Sequence, residues 1–472
     1  MNILALSPFI YVLILSFVLL LLDVFIKDDK KEFLGYVSIA LLIMAGIVIV
    51  YTLWNKNVSF FEKGILLDNF SLFSFCLLFY SLLFVIFVSI KYLTYQEINF
   101  GEYYSILVIS LLGMMLMVSS DDLIVILLGL EILAIGSYTL SNIRREDERS
   151  AEAGTKFFML GAFSSAFIIM GIVLLYGIIK STKISVIFSS INLAPYFLIG
   201  FGLVLVGFGF KLTLVPFHSW APDVFEGAPT PVTTFLSVSP KIAGFAVLLR
   251  IFTKFSFELD QKFILDTLWV ISSVTMIWGN IAALRQSNLK RMLAYSSIAH
   301  SGYILVGIMN LKAKGDWSLL FYLLAYLFMN VGAFASLISL TGKKKEYCEL
   351  EDLCGIGYRY PWIGGFFSLF LLSLAGFPPT GGFLAKFYLF SSAVRNDYII
   401  LVIIAIITTL ISVYYYLRVI VFMYMKEEIR EIHIELENPP LILTLFLCAL
   451  GVLQLGIFPG RILYWIQKAI IL

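Results

Sequence analysis

Apolar residues form long runs along almost the whole chain, and only short polar stretches separate them. Runs of 18 or more apolar residues predict membrane-spanning helices, because about 20 residues at a rise of about 1.5 Å each cross the hydrocarbon of a bilayer. A membrane β-barrel would instead show segments of about 10 residues with alternating polarity. The pattern therefore predicts an all-α polytopic membrane protein.

The runs divide the chain into about 14 predicted transmembrane helices. They lie at 3–26, 34–54, 69–90, 102–119, 122–141, 154–178, 196–218, 229–253, 264–284, 289–309, 317–341, 361–391, 398–424 and 440–464. The first run is too long for the apolar part of a signal peptide, so we interpret it as the first span. The connecting loops are short, and residues 1–472 are therefore predicted to form a single transmembrane domain.

Clusters of proline and glycine interrupt two of the predicted regions. They are Pro216, Pro222, Pro229, Pro231 and Pro240 around spans 7 and 8, and Gly376, Pro378, Pro379, Gly381 and Gly382 in span 12. Proline lacks a backbone N–H and clashes with the preceding turn, so a helix with such a cluster is interrupted. Backbone groups freed at membrane depth need protein or water as partners. We therefore predict broken helices in spans 7 and 12.

The two interrupted regions are five spans apart, which predicts two five-helix, inverted repeats. The first three spans would occupy 1–100, the first repeat (spans 4–8) 101–255, the second repeat (spans 9–13) 256–425, and the last span 426–472. Broken helices at corresponding places in two halves are typical of transporters and indicate the position of the transport site.

Composition and charge narrow the class further. Hydrophobic residues make up 60% of the chain and charged residues only 14%, whereas about a quarter of a soluble domain is charged. The net charge of +2 comes without a basic tract, so no nucleic-acid partner is expected. The four cysteines are too scattered for a disulfide framework, and no metal site is expected.

The loops after spans 1, 3, 5, 9, 11 and 13 carry more lysine and arginine than the loops on the opposite side. Lysine and arginine are enriched in cytoplasmic loops. The bias predicts a multi-pass protein of a bacterial-type inner membrane with both termini on the outer side.

Five ionisable residues fall inside predicted spans, and Glu131, Lys241 and His300 among them lie near the middle of a span. The five are Glu131, Lys211, Lys241, His300 and Lys386. An ionisable side chain at the bilayer centre costs about 3 kcal/mol on insertion scales, so each is a candidate for function. Arg250 lies nearer a span end, and we expect its long side chain to reach the membrane surface.

Lysines near a buried carboxylate suit proton transfer. Burial favours the neutral amine and a nearby carboxylate favours the ammonium, so a change at the carboxylate switches the lysine between holding and releasing a proton. Structural roles are the alternatives. Lys211 and Lys386 could neutralise carbonyls freed at the helix breaks, and His300 could be a hydrogen-bonded histidine of the bundle.

Six stretches of this sequence carry a family resemblance. They are GLEILAIGSYTL (129–140), KFFMLGAFSSAF (156–167), LVPFHSWAPDVFEGAPTPV (214–232), SPKIAG (239–244), NLKRMLAYSSIAHSGY (288–303) and LAGFPPTGGFLAKFYLF (374–390). Together they resemble the antiporter-like membrane subunits of respiratory complex I, the proton-translocating NADH–quinone oxidoreductase, and among these the subunit N family. The similarity covers most of the chain from about residue 66.

The resemblance implies a role for each candidate residue. Glu131 and Lys211 correspond to the paired charges, Lys241 to the central relay lysine, and Lys386 to the lysine of the second half-channel. His300 is a further candidate for the relay. The resemblance also implies that this subunit binds no cofactor, and that other subunits use the quinone and NADH or another electron donor. Its partners would be other antiporter-like and small membrane subunits.

The implied function is proton translocation driven by quinone reduction elsewhere in such a complex. One alternative is a subunit of an Mrp-type cation/proton antiporter. Another is a subunit of a related membrane-bound hydrogenase or dehydrogenase complex. The sequence of the segment 221–231 resembles subunit N more than the sister subunits, which usually have a histidine there.

Overall fold

The chain folds into a bundle of helices with one small β-hairpin. The structure is a computed structural model that describes residues 3–27, 30–98, 100–189, 195–254, 262–310, 317–343, 345–427 and 438–470. The helices are α1 (Ile3–Phe25), α2 (Glu32–Leu53), α3 (Asn69–Tyr95), α4 (Glu102–Ser119), α5 (Leu123–Ser141), α6 (Glu148–Ile179), α7 (Ile184–Ser189), α8 (Pro195–Lys211), α9 (Trp220–Gly227), α10 (Thr230–Thr253), α11 (Lys262–Leu284), α12 (Leu289–Met309), α13 (Trp317–Ile338), α14 (Ile356–Arg359), α15 (Pro361–Ala375), α16 (Gly381–Arg395), α17 (Ile399–Met425), α18 (Pro439–Ile457) and α19 (Gly460–Ile470).

Twelve of the described helices are long and apolar enough to cross a membrane. Two further helices, α8 and α15, are apolar but shorter. Both belong to the regions in which proline and glycine predict interruptions. The predicted α-helical membrane fold is therefore confirmed. Length and composition give twelve candidate spans among the described helices, and the number of about 14 stays a prediction.

The centre of the bundle is formed by α10, α12 and α13, in which almost every residue is buried. Their neighbours α3 and α4 are also mostly buried, whereas α1, α2, α6 and α17 expose much of their apolar surface. In a membrane protein such exposed apolar surface suits contact with lipid or with other membrane subunits. A polar side chain on α10 or α12 is thus enclosed by protein.

Both predicted helix breaks are confirmed. The first follows Lys211, where α8 ends, and the chain passes through Thr213 and Pro216 before the short helix α9 begins. The second separates α15 from α16. There Gly376 adopts φ of +89°, and its N–H donates to the carbonyl oxygen of Leu372. A left-handed residue, usually glycine, commonly ends a helix in this way.

Two local features differ from the prediction. The last span was predicted as one helix to residue 464, but α18 ends at Ile457 and α19 begins at Gly460. Pro459 lies between them and cannot continue the first helix. The second feature is the antiparallel hairpin of β1 (Val58–Phe60) and β2 (Ile65–Leu67), which was not predicted.

The division into two repeats stays a prediction. The proposed boundary at 255–256 lies outside the described residues. The predicted orientation, with both termini on the outer side, likewise stays a prediction.

Candidate functional site

Lys241 lies at the centre of the bundle on α10 and is 1% exposed. Its Nζ donates to the carbonyl oxygen of Ser297 at 2.5 Å and to the Ser297 Oγ at 2.6 Å. A third bond joins Nζ to the Ser301 Oγ at 2.7 Å. Both serines belong to α12. Among the described contacts the amine has these oxygen partners and the ring of Tyr326, 6.0 Å away, and no carboxylate. Dipoles and the ring, and no opposite charge, therefore face its charged form.

A chain of hydroxyl groups extends from Lys241 into the second half of the molecule. The Ser297 Oγ lies 2.8 Å from the Tyr326 Oη. The ring centroid of His300 is 5.4 Å from that of Tyr326 and 5.7 Å from that of Tyr303. His300 is almost fully buried, and its Nδ1 lies 2.7 Å from the Oη of Tyr322. The structure therefore places His300 inside the polar path, although its role as a proton carrier stays a prediction.

Lys386 lies at the far end of this path, on α16. Its Nζ donates to the carbonyl oxygens of Leu374 and Ala375, at 3.0 and 3.2 Å. These are the last two residues of α15, whose carbonyls the helix break leaves without intrahelical partners. The same Nζ lies 5.0 Å from the ring centroid of Tyr303. Lys386 thus binds carbonyls freed at the helix break, as expected for a purely structural role. It also contacts Tyr303 of the polar path.

Lys211 is the last residue of α8, and its Nζ donates to the Tyr138 Oη at 3.1 Å. Tyr138 and Glu131 are two helical turns apart on α5 and therefore lie on the same face. The Oε1 of Glu131 is buried without a hydrogen-bond partner. Among the described ion pairs of 4.0 Å or less, none joins Glu131 to Lys211. Their predicted contact, directly or through water, stays a prediction.

The first helix break connects Lys211 to Lys241. Thr213 lies in the break, and its Oγ1 is 3.4 Å from the Ser301 Oγ, which also accepts a bond from Lys241. The path therefore runs along the backbone from Lys211 to Thr213 and continues through the core by hydrogen bonds and ring contacts. We call its members the central polar axis: Tyr138, Lys211, Thr213, Ser301, Lys241, Ser297, Tyr326, His300, Tyr303 and Lys386.

The expectation that Arg250 reaches the membrane surface is wrong. Its side chain is 1% exposed, and its guanidinium nitrogens donate to both carboxylate oxygens of Asp68 at 3.0 and 3.1 Å. Burial raises the pKa of Asp68, but the charge and hydrogen bonds of Arg250 outweigh burial and lower it. Asp68 also caps α3 by accepting from the Ser71 N–H. The pair therefore holds the end of α10 against the start of α3.

Sequence reasoning also missed a buried charge cluster at the opposite end of α10. We call Glu346, Arg144, Lys290, Tyr92 and Thr230 the Glu346 cluster. The Glu346 carboxylate lies 3.1 Å from the Arg144 Nη2 and 3.1 Å from the Lys290 Nζ. It also accepts from the hydroxyls of Thr230 and Tyr92.

The charges of the Glu346 cluster explain how a buried carboxylate remains ionised. Burial raises the pKa of Glu346, but the nearby Lys290 and Arg144 outweigh burial and lower it to about 2. Thr230 begins α10, and Lys290 lies in the first turn of α12. The cluster therefore fixes the starts of the two helices that build the Lys241 site. In the sequence Glu346 follows three lysines and precedes three further acidic residues, so nothing marks it as a buried group.

A buried central lysine, two further lysines at helix breaks and a polar path between them, inside a bundle that can cross a membrane, define a class of polytopic transport proteins. More particularly, the chain belongs to the family of NADH:quinone oxidoreductase and Mrp antiporter transmembrane proteins, whose profile matches residues 120–412. That match includes all five candidate residues.

Individual proteins similar to this chain belong to the same family. The chain is 42% identical to NADH-quinone oxidoreductase subunit N of Trichlorobacter lovleyi over 475 residues, which cover 99% of this chain and 97% of the relative. It superimposes with a TM-score of 0.83 on a chain of respiratory complex I from Thermus thermophilus, at 30% identity and with 97% and 98% of the two chains covered. A chain of the Mrp complex from Dietzia sp. DQ12-45-1b shares the fold, with a TM-score of 0.86 at 19% identity and coverage of 100% and 97%.

Proposed function

We propose that the chain is the antiporter-like subunit N of a proton-translocating NADH–quinone oxidoreductase. The relative from Trichlorobacter lovleyi has that name and matches over nearly the full length of both chains. The observation that carries the proposal is the central polar axis, which joins both broken-helix regions through the buried core. Proton transfer needs such a sequence of groups that accept and release protons, with water filling the gaps.

Lys241 is the transfer point of the proposed mechanism. Its amine bonds Ser301, which contacts Thr213 in the first helix break, and Ser297, which contacts Tyr326 on the Lys386 side. In a site of low dielectric constant the charges of neighbouring amines repel strongly. A proton that arrives at Lys211 therefore favours release from Lys241 toward His300 and Lys386.

Other subunits supply the driving force in this proposal. They would bind the electron donor and the quinone, and a charge displaced at their boundary would reach Glu131 first. Glu131 suits that role because its buried Oε1 has no hydrogen-bond partner within the described structure. The subunit itself would contribute proton carriers, and other antiporter-like and small membrane subunits would be its neighbours. It would lie in the inner membrane with both termini on the outer side.

The decisive variants are Lys241→Ala and Lys241→Arg. Alanine removes the titrating amine, and arginine keeps a charge but does not release its proton at accessible pH. We expect both variants to reduce NADH-driven proton uptake by inverted membrane vesicles by about tenfold or more. Quinone reductase activity should fall with proton uptake where the two are tightly coupled.

The matched control is Lys254→Ala, at the surface end of the same helix, which should behave like the wild type. Assembly is checked on native gels. Full coupled activity in an assembled Lys241→Ala complex would exclude this lysine as an obligatory carrier. If Lys241→Arg behaves like the wild type and Lys241→Ala is inactive, the site needs only a positive charge and Lys241 does not carry protons.

A further inference from the structure

A crevice opens at the end of the bundle where α4 begins, α5 ends and α6 begins. Its volume is about 620 Å³, many times the roughly 30 Å³ that one water molecule occupies in the liquid. Polar residues line its outer part, among them Glu102, Asn142 and Arg145. The crevice therefore has room and hydrogen-bond partners for several water molecules, at the end of the molecule that the lysine and arginine bias assigns to the inner side.

Tyr138 lies at the boundary between this crevice and the central polar axis. The residue lines the crevice, together with Phe158 of α6. The rings of Phe157 and Phe158 pack edge-on against the Tyr138 ring, with centroid distances of 4.8 and 5.7 Å. On its other side the Tyr138 Oη accepts a hydrogen bond from the Lys211 Nζ at 3.1 Å. Tyr138 therefore both lines the crevice and accepts the hydrogen bond from Lys211.

Gly161 on α6 makes room for this hydroxyl group. A Cβ atom at this position would lie 1.9 Å from the Tyr138 Oη and 2.6 Å from its Cζ. Glycine is disfavoured in the interior of a helix relative to alanine. Any larger residue at position 161 would displace the phenol. The absence of a side chain at Gly161 therefore allows the Tyr138 hydroxyl to lie beside Lys211.

We propose that Tyr138 is the gate through which protons pass between the crevice and Lys211. This inference rests on the proposed function as a proton-translocating subunit. In the step, a protonated water in the crevice gives a proton to the Tyr138 Oη while the hydroxyl proton of Tyr138 moves to the neutral Nζ of Lys211. One O–H bond forms and one breaks at the same oxygen, so the phenol is neutral before and after, and no electrons are transferred.

The first test is Tyr138→Phe, which keeps the ring and removes only the hydroxyl group. We expect NADH-driven proton uptake by inverted vesicles to fall by about tenfold or more in the assembled complex. Gly161→Ala displaces the hydroxyl from the α6 side and should cause a similar loss. The matched control is Tyr176→Phe, also on α6, whose side chain is 49% exposed and which should retain wild-type uptake. Uptake within about twofold of the wild type in an assembled Tyr138→Phe complex would overturn the proposal.

A second measurement tests the crevice itself. Thr155 lines it and is exposed, so Thr155→Cys should react with a bulky, membrane-impermeant thiol reagent added to inverted vesicles. Labelling should then block proton uptake, relative to the equally treated wild type with its natural cysteines. Failure of Thr155→Cys to react, or full proton uptake after labelling, would contradict a water-filled access route.

Lys211→Ala separates this inference from the proposed function. If Lys211→Ala abolishes proton uptake and Tyr138→Phe does not, the gate is wrong and the function stands. If an assembled Lys211→Ala complex pumps normally, the proposed path through Lys211 is wrong and the gate fails with it.

Discussion

The three buried lysines differ in the groups that hold them. Lys241 is bound by serine oxygens and Lys211 by a phenol, whereas Lys386 is bound by two helix-terminal carbonyls. A cation near the carboxyl end of a helix is stabilised by the helix dipole. The geometry of Lys386 is thus compatible with a structural role and with a role in the proton relay. The two roles predict different effects of an arginine at position 386.

Lys386→Arg distinguishes these roles. Arginine keeps the positive charge and the N–H donors that the carbonyls of Leu374 and Ala375 need, but it does not release a proton. If Lys386 carries protons, we expect proton uptake to fall by about tenfold or more while the complex still assembles. The control is Arg395→Lys at the exposed end of the same helix. Wild-type proton uptake in Lys386→Arg would leave carbonyl neutralisation as the only role of this residue.

At the scale of elements, the two helix breaks position Lys211 at the end of α8 and Lys386 against the last carbonyls of α15. The end of α15 depends on Gly376, whose φ of +89° is unfavourable for residues with a side chain. A Cβ at this position would also lie 3.2 Å from the Cδ of Lys386. The shape of the second break and the position of its lysine therefore depend on the same residue.

We expect Gly376→Ala to lower the stability of the protein by about 1–2 kcal/mol, because a left-handed conformation costs a residue with a Cβ about that much. The matched control is Gly365→Ala in the same helix, where nothing lies within 4 Å of the added Cβ. Alanine there should be neutral or stabilising by up to about 1 kcal/mol. The measurement is thermal unfolding of the purified protein in detergent. Equal unfolding temperatures of the two variants would contradict the argument.

At the scale of the whole molecule, the Glu346 cluster joins segments that are far apart in sequence. Arg144 follows α5, Lys290 lies in the first turn of α12, and Glu346 follows α13. Lys290 also donates to the carbonyl oxygen of Ala228 at 2.6 Å, just before α10. The cluster therefore ties the two predicted repeats together at one end, as Arg250 and Asp68 tie α10 to α3 at the other.

Glu346→Gln should destabilise the protein by about 3–5 kcal/mol at pH 7, because it leaves the buried Lys290 without its counter-charge. The control is Glu62→Gln. Glu62 pairs with Lys183 at 3.7 Å with its own side chain 92% exposed, and such surface pairs contribute little. Chemical unfolding of the purified protein measures both variants. Equal unfolding midpoints for Glu346→Gln and the wild type would contradict a stabilising cluster.

The same variant predicts a pH dependence. The pKa of Glu346 is lowered from 4.5 to about 2 in the folded protein. Its contribution to stability is therefore fully present above about pH 4.5 and is lost as the pH falls through about 2. The difference in stability between wild type and Glu346→Gln should be constant from about pH 5 to 9 and should shrink only in acid.

Much of this architecture could be predicted because its signals are local. A run of apolar residues determines a membrane span through its own transfer free energy, and a proline cluster interrupts a helix through its own missing donors. Glu131, Lys211, Lys241, His300 and Lys386 could be singled out for the same reason, since the cost of burying an ionisable group belongs to the single residue. These signals need no knowledge of what lies nearby in space.

Only the tertiary structure decided which groups meet. Ser297, Ser301 and Tyr138 are ordinary residues in a helical sequence, and no burial cost marks them as partners of the lysines. Arg250 and Asp68 are 182 positions apart, so neither residue predicts the other. Partner choice depends on the contact free energy between distant segments. That free energy becomes defined only when the helices pack, and for this reason the lysines were found from the sequence and the path between them was not.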